Sequence, residues 1–419
     1  MENQQLLIPH LFRTEYRKII SVLCKLFGFE HIEIAEDIVS DTFLSASETW
    51  GLKGIPQNPT AWLYSVAKNK ALNNLHRKKV YDDKVTSELK SSSSEFTLTE
   101  IDLSNRNIID SQLQMMFAIC NPVIPPEAQI GLSLRILCGF GINEIADAFL
   151  TNKETINKRL FRAKEKLREE KIKIEMPRHS EISLRLETVL STLYLLFSEG
   201  YYSTHQNSVI RKDLCLEAIR LTYLLIENVA TDKPVVNALL SLMCFHASRF
   251  DARTNELGEI ILYNEQNTDL WNKELITKGA YFLNQSAKGN ILTRYHLEAA
   301  IGYWHTHKDD TAEKWENILQ LYNQLLQIEY SQIAALNRTY ALYKANGVEV
   351  AIMEALKLNL NTNHFYYTLL GELHINIDCH IANQYFERAL LLAKSETDKN
   401  VIKKKISALN VTTKIKKEV

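Results

Sequence analysis

Residues 142–168 read INEIADAFLTNKETINKRLFRAKEKLR. Ile142–Phe149 predicts a short helix, Leu150-Thr151-Asn152 a tight turn, and Lys153–Arg168 a longer helix. The second helix carries seven Lys/Arg against Glu154 and Glu165, a local charge of +5. A short helix, a three-residue turn and a basic second helix describe a helix-turn-helix. Ile145, Ala146, Phe149, Ile156 and Leu160 fall where the two helices must touch, and Ala146 is small where close packing needs it. That leaves Lys153, Glu154, Asn157, Lys158, Arg159, Phe161 and Arg162 for a DNA groove and its flanking phosphates. The plainer alternative is a basic helical hairpin with no DNA role.

On the N-terminal side, Pro125–Cys138 predicts a helix that starts on proline, and Gly139-Phe140-Gly141 a turn. Further upstream, Tyr81–Asp102 holds six acids against two lysines, a local −4, with Ser91–Ser94 in a row. It predicts an acidic, flexible linker over 81–107. Before it, Lys68–Lys79 carries five Lys/Arg and no acid. Two basic patches thus flank an acidic tether, and local clusters, not the whole-chain charge of −1, govern attraction to phosphate.

The first basic patch ends a predicted helix, Ala61–Lys79, with Thr60 as its expected N-cap. Trp62, Ser65, Asn69, Asn73 and His76 share one stripe, bordered by Lys68, Arg77 and Lys78. Aromatics stack on bases, amides read base edges and cations neutralise phosphates, so the stripe suits single-stranded DNA. Alternatively Trp62 is core and the basic end only a solvated helix terminus. Ile32–Trp50 predicts an amphipathic helix with Ile34, Ile38, Val39, Thr42 and Ala46 inward. Its outward Asp37 and Asp41 are like charges four apart, either a solvated face or a docking face for a basic partner.

Together these segments resemble the extracytoplasmic-function class of bacterial RNA polymerase sigma factors. AEDIVSDTFLSASETW (35–50) resembles the region 2 helix that docks on core polymerase. NPTAWLYSVAKNKALNNLHRKK (58–79) resembles the helix that melts and reads the −10 element, and residues 142–167 the region 4 reader of the −35 element. The resemblance implies polymerase contacts at Asp37, Asp41 and Leu44. It implies −10 contacts at Lys53, Trp62, Lys68, Asn69, Asn73, Arg77 and Lys78, with Gly51–Pro59 helping to hold a flipped base. It implies −35 contacts at the seven residues of the second basic helix named above. The linker would thread toward the RNA exit path. The rival reading is a free-standing helix-turn-helix regulator that works without polymerase, which would not need the helices 32–50 and 60–79.

Sparse glycine and proline (13 and 8 of 419 residues) and apolar spacing of three and four predict an all-α protein. The expected domains are 8–80, the linker, 108–175, a helical extension over 182–290 and repeats resembling tetratricopeptide helices over 291–410. SQLQMMFAICNPVIPPEAQIGLSLRIL (111–137), LETVLSTLYLLFSEGYY (186–202), DART (251–254) and LNRTYAL (336–342) resemble the sigma subgroup that carries such an extension. That family leads one to expect Gln-Asp-Arg before Trp271, where this chain has Gln266-Asn267-Thr268. The extension either takes a protein or peptide partner or regulates by occlusion. Six scattered cysteines predict buried thiols in a reducing cytoplasm, and no basic-then-apolar start or membrane-length apolar run is present. His305 and His307 with Asp309 and Asp310 lack metal-site spacing and are expected to be solvent-exposed. No phosphate loop or nucleophile elbow occurs. The reading is therefore a non-enzyme without metal or cofactor.

Overall fold

The computed structural model describes residues 2–85, 101–149, 151–201, 211–255 and 261–418. Residues 86–100 of the expected linker and Leu150 of the expected turn lie outside them. The protein is all-α and divides into two compact units, Met1–Leu195 and Leu196–Val419.

The first unit contains α1 (Glu2–Phe27), α2 (Ile32–Lys53), α3 (Pro59–Val85), α4 (Asn105–Ile119), α5 (Pro126–Leu132), α6 (Ile142–Ala148), α7 (Lys153–Glu169) and most of α8 (His179–Tyr201). Tyr16, Ile19, Ile20 and Leu23 give α1 a buried stripe at helical spacing. α2 meets it with Ile38, Val39, Thr42, Phe43 and Ala46, and α3 with Leu63, Ala67 and Ala71. α4 also packs on α1, and the Gln112 amide donates to the Arg17 carbonyl at 3.4 Å. The two segments expected as separate domains on either side of the linker therefore share one compact unit. The cap of α3 is Asn58, not Thr60: its side chain accepts from the Ala61 N–H at 3.0 Å, and Pro59 opens the helix where no donor is needed.

The second unit holds α9 (Lys212–Ile226), α10 (Pro234–Ala247), α11 (Lys273–Ser286), α12 (Arg294–Trp304), α13 (Ala312–Ile328), α14 (Gln332–Asn346), α15 (Val348–Leu358), α16 (His364–His374), α17 (Cys379–Leu392) and α18 (Glu396–Glu418). α10 is buried on nearly every side and packs against α9, α11 and α12, as an all-round apolar helix must. Gly279 lets α11 approach it: a Cβ there would lie 2.7 Å from the Phe245 ring. From α13 onward each helix packs on the next. α10 stops at Ala247 and is followed by a short 3-10 turn, Phe250–Ala252. All six cysteines are free thiols, five of them buried. Among the described residues no helix is long and apolar enough to cross a membrane.

Candidate nucleic-acid interface

On α2, Asp37, Asp41 and Leu44 are exposed along one stripe, with Leu44 57% exposed. Lys70 of α3 reaches the Asp41 carbonyl at 3.1 Å and its carboxylate only at 3.9 Å, a surface pair of little weight. Lys53 is exposed in the last turn of α2.

On α3 the inward set Leu63, Ala67, Ala71 turns Ser65, Asn69, Asn73, His76 and Arg77 outward, and all five are exposed. Trp62 is half-buried, its ring edge-on to the buried Trp50 with centroids 5.4 Å apart. Lys68 is half-buried, and the Lys78 side chain lies outside the described residues. A cleft of about 600 Å³ runs between Tyr64, Ser65 and Lys68 of α3 and Ile101, Asp102 and Leu103. The Ser104 backbone and hydroxyl hydrogen bonds hold the Asp102 carboxyl below its usual range, with Lys68 adding a smaller push. Beneath the cleft the Tyr64 hydroxyl donates at 2.7 Å to Glu15, which is buried and also bound by Lys18 at 2.9 Å. Burial and this carboxylate raise the Tyr64 pKa, so the phenol stays a donor.

The second basic segment folds as α6, a turn and α7. Ile145, Ala146 and Ala148 of α6 face Ile156, Leu160, Ala163 and Leu167 of α7. The Asn152 side chain caps α7 by accepting from the Thr155 N–H at 2.8 Å, and the Gly141 N–H donates to Glu144 at 2.8 Å. Gly131 of α5 lies against α7, where a Cβ would stand 3.0 Å from Leu160. Lys153, Glu154, Asn157, Lys158, Phe161 and Arg162 are exposed, Phe161 at 61%. Arg159 is set apart: it is half-buried with its guanidinium 5.3 Å from the centre of the Phe149 ring.

The other end of α7 is turned to the protein. Lys164 binds Glu36 of α2, and Arg135 donates to the same carboxylate at 3.3 Å and to the Phe140 carbonyl at 3.2 Å. Arg168 reaches Glu33 at 2.9 Å and the Phe29 carbonyl at 3.3 Å. The side chains of Glu36, Arg135 and Lys164 are only 15%, 16% and 11% exposed, so this is a partly buried ion cluster. The sequence reading missed Glu36, Arg135 and Glu15.

Residues 11–80 match sigma-70 region 2. The match covers α3 with its exposed amides and α2 with its acidic stripe, and supports a sigma-factor family and sigma-factor-like promoter recognition. Core RNA polymerase is the partner that region 2 implies. Residues 185–287 match a family of unknown function, DUF6596. An uncharacterized protein of Rhizobium meliloti (strain 1021) is 29% identical over 390 residues, 91% of each chain. No solved structure matches.

Outside region 2, the expectation of a solvent-exposed His305 is corrected. The ring is partly enclosed, with Nδ1 shut off from solvent and without a hydrogen-bond partner among the described residues, because it follows Ile301 by one helical turn. Asp310 is not a ligand in waiting either, since its carboxylate accepts from Trp315 and Lys344. Among the described residues no three His, Cys, Asp or Glu are placed to hold a metal ion. Gln266 is buried and its amide donates to the Ile261 carbonyl at 3.3 Å.

Proposed function

We propose that this chain is a sigma factor that directs core RNA polymerase to specific promoters, with its second unit as a regulatory helical domain. The observation that carries the reading is the region 2 match on helices whose outward faces carry the right chemistry. The acidic, leucine-bearing stripe Asp37, Asp41, Leu44 docks polymerase. Asn69 and Asn73, with Lys53, Trp62, Lys68, Arg77 and Lys78 around them, take the −10 strand. α7 serves as the −35 reader through Lys153, Glu154, Asn157, Lys158, Phe161 and Arg162, while Arg159 props Phe149 and lies nearer the helix-turn-helix core. The helix-turn-helix sharing one unit with region 2 favours this reading over a regulator that acts without polymerase. The second unit, whose successive helices pack in series, would offer a surface to a protein or peptide partner.

The test is promoter opening by core polymerase and the full chain, read by permanganate reactivity of the −10 thymines. Asn69→Ala with Asn73→Ala should reduce opening at least tenfold while leaving polymerase affinity within about twofold. Equal loss of both would sink the assignment of α3.

A further inference from the structure

The match to the family of unknown function begins inside α8, at residue 185, yet this part of α8 is built into the first unit. Ile182, Leu186, Val189, Leu190 and Leu193 are buried at spacings of three and four. Two polar bonds fix the helix there. Arg185 donates from Nη2 to the Phe117 carbonyl in the last turn of α4, where helix carbonyls lack partners of their own. The Thr192 hydroxyl donates to the Gln129 amide oxygen of α5 at 2.7 Å and shares its proton with the Thr188 carbonyl at 2.9 Å. Arg185 and Thr192 lie inside the family match, and Phe117 and Gln129 outside it.

Gln129 is 4% exposed and Thr192 2%. The Gln129 side-chain N–H groups donate to the carbonyls of Asn121 and Ile124, at 3.0 and 2.9 Å, which ties α5 to the turn before it. Cys120 joins the same network: burial pushes its thiol up to about 11, against hydrogen bonds with Thr192 and Ser133. A buried network of this kind holds one geometry while every member is matched, and removing a member leaves its partner with an unrelieved desolvation cost.

α5 in turn backs α7. Gly131, next but one to Gln129, comes so near that a Cβ there would stand 3.0 Å from Leu160. In an interior packed this closely, α5 cannot shift without displacing Leu160 or leaving a gap beside it. The contacts therefore run unbroken from Thr192 through Gln129 and Gly131 to the helix that presents Asn157, Lys158, Phe161 and Arg162.

We infer that Thr192 is a positioning residue for DNA reading: through Gln129 it sets α5, and through Gly131 α5 sets the lie of α7. The inference rests on the reading of α7 as the −35 helix. It gives the extension a supporting role at this contact, not an occluding one. It also assigns the start of the family of unknown function to docking on α4 and α5.

Promoter binding by core polymerase carrying the full chain tests this. The probe is a promoter selected from a randomised library by the wild-type complex, beside the same duplex with its upstream element scrambled. Thr192→Val keeps the branched shape and removes the hydroxyl. It should weaken binding to the intact promoter at least fivefold and leave binding to the scrambled one within twofold. Thr192→Ser, which keeps the hydroxyl, should restore the difference. Circular dichroism establishes folding, and if Thr192→Val is unfolded, Arg185→Gln decides by the same ratio. Equal weakening on both duplexes marks a merely structural role and overturns the proposal, as does unchanged binding. Tighter binding by Thr192→Val would show that α8 occludes the reader, and overturns it too. Failure of the wild-type complex to select any upstream element sinks the −35 reading itself, and the proposal with it.

Discussion

Replacing Glu36 by glutamine keeps the size of the side chain and removes one charge from a place where two cations converge. Lys164 and Arg135 would be left at 11% and 16% side-chain exposure without their carboxylate. Breaking a fully buried ion pair by removing one partner costs roughly 3–5 kcal/mol, and an exposed pair contributes roughly 0–1. Partial exposure lowers the first figure, and Arg135 keeps the Phe140 carbonyl as a second acceptor. An expected loss of about 2–3 kcal/mol follows. The loss should be local, because Glu36 joins α2 to the C-terminal part of α7, and a chain of two units need not unfold in one step. Hydrogen exchange across 160–169 in increasing urea is the suitable assay, with amides of α12 as an internal reference. Faster exchange in α7 by a factor of about 30 or more, with α12 unchanged, agrees with the reasoning. A change below about fivefold would show that the cluster behaves as an exposed pair and does not hold α7 against α2.

Three other outcomes are expected. Asn152→Ala removes the cap of α7 and should cost about 1 kcal/mol, seen as a lower urea midpoint of the first unit with duplex DNA binding weakened in parallel. Acidification should destabilise the second unit through His305: the unfolded ring takes up a proton near 6.5 and the folded one only near 3, so stability falls as pH drops below 6.5. At pH 5 the loss is about 1–2 kcal/mol, and His305→Gln should flatten the melting temperature between pH 7 and 5 by that share. Leu44→Asp should weaken polymerase binding while changing the melting temperature little, since most of the side chain is exposed.

Helical periodicity carried most of the fold, because α1, α2, α3 and α7 each bury residues at spacings of three and four. The outward stripe on α3 was legible for the same reason: once Leu63, Ala67 and Ala71 face inward, Asn69 and Asn73 have nowhere else to point. What escaped were contacts made across long stretches of chain. Glu36 meets Arg135 and Lys164 at separations of 99 and 128 residues, and neither composition nor local charge singles out one glutamate in an acidic helix. The cap at Asn58 was hidden by a better-looking Thr60, although Pro59 at the first helical position was a signal that the helix begins earlier. His305 was misjudged for the opposite reason. Its neighbours His307, Asp309 and Asp310 look like a polar loop, while its register with Ile301 puts the ring on the packed side.

Counting basic residues overstates how strongly α7 can pull on DNA. Lys164 and Arg168 are held by Glu36 and Glu33, Lys166 by Glu170 at 2.8 Å, and Arg159 lies over Phe149. Lys153, Lys158 and Arg162 remain exposed and outside these pairings. At a slope of about 0.9 per phosphate neutralised, the affinity of this helix for duplex DNA should fall with a log–log salt dependence near 3, not near 6. A helix that spends half its charge on its own scaffold would release few counterions on binding. Its grip would then tighten only modestly as salt is withdrawn, and region 2 and the polymerase would have to supply the rest.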